Sequence, residues 1–141
     1  MAQSQKILDT GIAEWVVLMS DATSPAATAM TKIVALNMAT ACAAVEASTF
    51  ADPADTATHH TDSGLKIAAI DTVAQAKTSH TGDTINFDHV FTATATKNVA
   101  GIHTCNEDGD VSFVECCFNA VLAMENTDTL TIDGSVVVAQ A

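Results

Sequence analysis

Histidine and cysteine are the residues here whose chemistry could be put to use, and their spacing decides what that use would be. His103 and Cys105 lie two residues apart and so share one face of an extended segment, with Cys116 or Cys117 within reach across a hairpin. A tetrahedral zinc site needs four converging ligands, and the chain contains neither a Cys-x-x-Cys nor a His-x-x-x-His pair. The better reading of Cys105 and Cys116 is as small core hydrophobes. Residues 106–110, Asn-Glu-Asp-Gly-Asp, resemble a fragment of a calcium loop but lack its alternating ligand spacing and distal glutamate, and the Asp-Gly step marks a hairpin turn instead. Cys117 beside a histidine could form a nucleophile and base, yet nothing in order or local pattern matches such an arrangement. Phosphate-loop and dinucleotide fingerprints are absent. The expectation is a non-enzyme with no catalytic residues, no metal ligands and no cofactor.

Three further residues are candidates for contact with a partner. Trp15 is the single tryptophan, and a lone large aromatic near a terminus is a core plug or an interface anchor. His59 and His60 fall in a polar stretch, residues 52–64, that is expected to be the most exposed loop and could carry a pH-sensitive subunit contact. His89 falls in the apolar parity of a strand, where a hydrogen-bonded core or interface histidine is expected.

The elements that must position these residues follow from periodicity. Residues 85–96 alternate strictly: Ile85, Phe87, His89, Phe91, Ala93 and Ala95 on one parity, with Asn86, Asp88, Val90 and three threonines on the other. This is a strand with one buried face and the natural centre of a sheet. Residues 99–105, 111–124 and 129–139 read as further strands, so the last third predicts an antiparallel sheet joined by short turns. In the long strand Val114, Cys116, Phe118, Ala120 and Leu122 point one way, with Glu115, Cys117 and Asn119 opposite. Residues 31–38 form an apolar run buried on both faces, and 65–70 with 73–78 a strand with a bend. Residues 39–50 are Ala-rich and fit either a short helix or an irregular excursion. Leu8, Ile12, Trp15, Val16 and Met19 recur at helical spacing, predicting a short amphipathic helix over about 9–19 within the run that opens at Lys6. Half-buried strands need a second layer, so the expected fold is mainly β: one domain over 1–141, an antiparallel, jelly-roll-like β-sandwich with a short N-terminal helix.

Composition narrows the function classes. Against 17 acidic residues stand 5 lysines and no arginine, a formal net charge of -12, which repels nucleic acid. No apolar run reaches the length of a membrane span, and the N-terminal residues lack a secretory pattern, so synthesis and folding in the cytoplasm are expected. Four cysteines are too few for a disulfide framework, and free thiols are expected.

Several stretches together resemble a family of small tailed-phage structural proteins labelled phage tail fibre proteins: TGIAEWVVLM at 10–19, KIVALNM at 32–38, TDSGLKIA at 61–68, and the long run 83–138 in which strands and Asp-Gly or Asn-containing turns succeed one another in the family's order. The resemblance leaves out 21–29 and much of 39–60, and the chain departs from the family pattern at Gly101 and His103 and in its acidic, Cys-containing loops. It implies a non-enzymatic virion component, synthesised in the host cytoplasm, either a capsid decoration or a tail or fibre subunit. Its partners would be itself, as a homo-oligomer such as a trimer, and major capsid or tail proteins, with neither nucleic acid nor membrane. A receptor-binding module at a fibre or spike tip is the alternative, disfavoured by the absence of tyrosine for stacking on sugars. A thiol or metal-binding protein is a weaker one.

Overall fold

A computed structural model of the chain describes residues 4–7, 29–76 and 84–137. The expected helix over 9–19, with Trp15, lies outside them. Among the described residues there are nine strands and no helix: β1 (Ser4–Ile7), β2 (Lys32–Asn37), β3 (Thr58–His59), β4 (Ala68–Ala69), β5 (Thr72–Ala76), β6 (Thr84–Thr92), β7 (Lys97–Cys105), β8 (Ser112–Met124) and β9 (Thr129–Val137). All described pairings are antiparallel. Lys6 and Ile7, where the helical run was expected to open, extend along β8 in β1.

The strands divide into two sheets. The larger runs β1-β8-β7-β2-β3, with β4 also on β2, and the smaller runs β5-β6-β9. The alternation of β6 is realised: Phe87, His89 and Phe91 are buried while Asp88, Val90 and Thr92 face out, and β6 is the centre of its sheet. The expectation of one sheet over the last third is corrected, because β6 and β9 pair in the smaller sheet and β7 and β8 in the larger. Inward apolar residues drive this division, since each sheet has a face to bury against the other. Phe87, Phe91, Ile132 and Val136 of the smaller sheet form one core with Ile33, Ala35, Val99, Ile102, Val114 and Cys116 of the larger. The two turns that cross between sheets are tied together: the Ala93 amide donates to Asp128 O and the Thr127 amide to Ala93 O, both at 2.8 Å.

The expected bent strand over 65–78 becomes β4 and β5, which belong to different sheets. The switch takes one peptide step, for the Ile70 amide donates to Thr31 O beside the larger sheet and the Asp71 amide to Asp88 O in the smaller. Strand β2 is buried on both faces, as its unbroken apolar run predicts, because a second core lies behind the larger sheet. There Leu36, Ala100 and Cys117 meet Cys42, Ala54 and Ala57 from an irregular flap, residues 38–57. Strand β7 serves both cores through a register break between Val99 and Gly101, so that Val99 and Ile102 face the first core and Ala100 the second.

Candidate functional site

The concentration of reactive side chains lies under the flap. Cross-strand register sets Val34 of β2 beside His103 of β7, and His103 beside Glu115 of β8, all on the face turned away from the main core. His103 and Glu115 are each fully buried, a placement that strands a charge unless partners reach it. The flap supplies them. Glu115 Oε1 accepts from the Ser48 hydroxyl at 3.2 Å and the Val45 amide at 3.4 Å, and Oε2 accepts from the Ala54 amide at 3.0 Å. Burial holds the carboxyl above the usual range, and these three donors offset only part of that shift.

His103 Nδ1 lies 3.2 Å from His59 Nε2, and the Phe50 ring packs over both, with centroids 4.2 Å from His59 and 5.5 Å from His103. Burial holds His59 down to about 4 and His103 down to about 3, the latter also disfavoured by charge on His59. Both rings are therefore neutral near pH 7, and the 3.9 Å approach of His103 Nδ1 to Glu115 Oε2 is not an ion pair. The carboxylate beside Nδ1 favours the His103 tautomer protonated there, donating to His59 and leaving Nε2 as a buried acceptor without a partner. A disulfide from Cys42 to Cys117 closes the flap onto β8.

The expected set of free thiols is thus corrected for Cys42 and Cys117, which are joined, while Cys105 and Cys116 are buried thiols. Burial pushes the Cys105 thiol up to about 12, the opposite of an activated nucleophile. The stretch 52–64, expected as the most exposed loop, is exposed at Asp52, Asp55, Thr56, Thr58, Thr61, Asp62 and Gly64 but not throughout. That stretch carries β3 and buries Ala54, Ala57 and His60, because it closes the second core. His59 is half-buried against Phe50, and His60 Nε2 meets Asn98 O at 2.8 Å. His89 is buried as expected and packs edge-on to Phe91 at 4.4 Å, but its Nδ1, 3.2 Å from Asp71 Oδ2, lacks hydrogen-bond geometry.

Residues 106–110 form a hairpin turn clamped by buried Asn106, whose Oδ1 accepts from the amides of Asp110 and Val111, both at 3.1 Å. Among the described residues no group of three or more His, Cys, Asp or Glu side chains is placed to hold a metal ion. Two members of the cluster were not foreseen from sequence. Glu115 falls on the polar parity of β8, and Cys42 has no local pattern pointing to a partner 75 residues away.

Comparison with protein-family models, with curated proteins and with solved structures finds no match.

Proposed function

We propose that this chain is a non-enzymatic structural protein of a tailed bacterial or archaeal virus. In this reading its two sheets form a jelly-roll-like β-sandwich that serves as a capsid decoration or a tail or fibre component. It works through repeated contacts with copies of itself and with major capsid or tail proteins. The observation that carries the reading is the use made of the buried polar groups. Glu115 takes up three flap donors, His103 and His59 are neutral and packed against Phe50, and Cys117 is cross-linked to Cys42. Glu115, the His59–His103 pair and Cys117 are thus used to hold a flap on a sheet, a rigidity that suits a building block. A disulfide persists in oxidising surroundings, which fits a particle that leaves the cell. The order of strands and turns that resembles the phage family supplies the virion context.

Gold-labelled antibody on purified particles tests the reading. Label over the shell or along the tail is the expected result. Label confined to a fibre tip would turn attention to a receptor-binding role, and unlabelled particles would sink the virion assignment.

A further inference from the structure

The six-stranded sheet is wider than the three-stranded one, and the difference leaves a gap on one side. Strand β9 is an edge of the smaller sheet, with β6 on one flank and no described strand on the other. Opposite it, among the described residues β1 pairs β8 at residues 114–117, and beyond them β8 pairs β7 at residues 122–124 after an irregular stretch. Between these two edges lies a cleft of about 320 Å³.

Its lining identifies what kind of surface it is. All six residues from 130 to 135 border it, on both parities of β9. A cavity beneath a strand touches every second side chain, whereas one that touches consecutive residues runs along the strand's edge, where the backbone amides and carbonyls project. The floor is apolar: Phe87 from β6 with Cys116, Phe118 and Leu122 from β8. Phe118 is only half-buried, and Leu122 retains 40% of its surface exposed. A free edge and an apolar floor beside it are the two halves of a strand-addition site: the backbone supplies affinity and the floor selects alternate side chains.

Charge says which partner fits. Asp133 of β9 stands directly across from Asp88 of β6 on the outer face of the sheet, an unfavourable like-charge pair, and no cation among the described residues pairs with either. A strand laid along β9 would place its outward side chains next to Asp133, where lysine or arginine relieves the repulsion. With a net charge of -12 two copies repel one another, so a second copy is the less suited occupant. We propose that the cleft between β8 and β9 accepts an extended segment of a different, basic protein, with apolar side chains at alternate positions turned into the cleft and cationic ones between them. This deepens the structural reading above, on which it rests, by naming the surface of contact and the chemistry of the partner.

An end-capped nonapeptide alternating lysine with valine and leucine is the probe, against a permutation of the same residues without alternation, at about 0.1 M salt. Anisotropy should show the alternating peptide binding the full chain about tenfold more tightly than the permutation, and amide exchange should slow within 130–136. Asp133→Lys should weaken binding about fivefold, and Leu122→Ser should weaken it without altering the salt dependence. Equal affinity for both peptides, or no slowing of exchange in β9, overturns the proposal. So does sedimentation showing that the chain self-associates with β9 protected, which hands the cleft to a second copy. The assay contains no particle, so failure here removes the cleft while the particle labelling decides the virion role separately.

Discussion

Glu115 Oε2 accepts a hydrogen bond at 3.0 Å from the amide of Ala54, a carboxylate in the first half of β8 holding a loop amide 61 residues away in sequence. With Ser48 and Val45 on the other oxygen, one side chain satisfies donors from three points of the flap. Glu115→Ala leaves those donors buried without an acceptor, at about 1–3 kcal/mol for each that water does not reach. The variant should lose on the order of 3 kcal/mol in urea unfolding. Glu115→Gln, which keeps one acceptor oxygen and turns an amide toward the other donors, should lose less. An unchanged midpoint in the alanine variant would show that the flap is not held by this residue.

The Cys42–Cys117 bridge closes a chain segment of 75 residues, which in the chain-entropy treatment corresponds to about 4 kcal/mol. Cys42→Ser should lower unfolding free energy by that order with the secondary structure retained, since β2, β7 and β8 pair without it. Thiol counting is the independent check. The native protein should react slowly or not at all with a thiol reagent, because Cys105 and Cys116 are buried, and the denatured, unreduced protein should reveal two thiols. Four thiols in denaturant would mean no bridge.

Acid should loosen the molecule through its histidines. Above the usual 6.5, His59 and His103 are neutral folded and unfolded, and contribute nothing to the pH dependence. As pH falls below 6.5 the unfolded chain takes up protons that the folded chain refuses until about 4 at His59 and about 3 at His103, so stability declines across that window. His60, lowered by burial first, acts in the same direction. Glu115 opposes them, for its raised carboxyl is protonated in the folded state before the unfolded one. Urea midpoints measured from about pH 7.5 to about pH 4 should fall, and His103→Gln should flatten the profile. A midpoint that holds steady through the window would mean that these rings are solvated.

How far all this was legible in advance depended on range. Alternation identified Phe87, Phe91, Val114 and Cys116 as facing the main core, because a period of two is a local property of the backbone. The same rule set Glu115 and Cys117 on the second face of β8 correctly but could not say that this face is covered. The cover is an Ala-rich stretch without periodicity, and a cluster between such a flap and a sheet leaves no local trace. Assignment of strands to sheets was out of reach for the same reason: the β6-to-β7 turn looks alike whether it returns to its own sheet or crosses to the other. The burial of His60 and the pairing of Cys42 were hidden by the polarity and small side chains of their neighbours, since both rest on contacts made tens of residues away.

Phe87 and Gly134 are directly paired across β6 and β9, and the aromatic ring lies in the space a side chain at 134 would need. A Cβ placed there would come within 2.2 Å of the ring's Cζ and 2.6 Å of both Cε atoms. The glycine is thus a steric requirement of this pair, since an extended strand otherwise disfavours glycine. Gly134→Ala should cost about 1–3 kcal/mol as the ring is displaced into its neighbours in the core. Phe87→Leu removes the ring at a cavity cost of its own, yet in its presence Gly134→Ala should become close to neutral. A double-mutant cycle by thermal or urea unfolding should therefore show marked coupling between the two sites. Additive effects would mean that the ring does not rest on the glycine, and would also redraw the floor of the cleft that Phe87 helps to form.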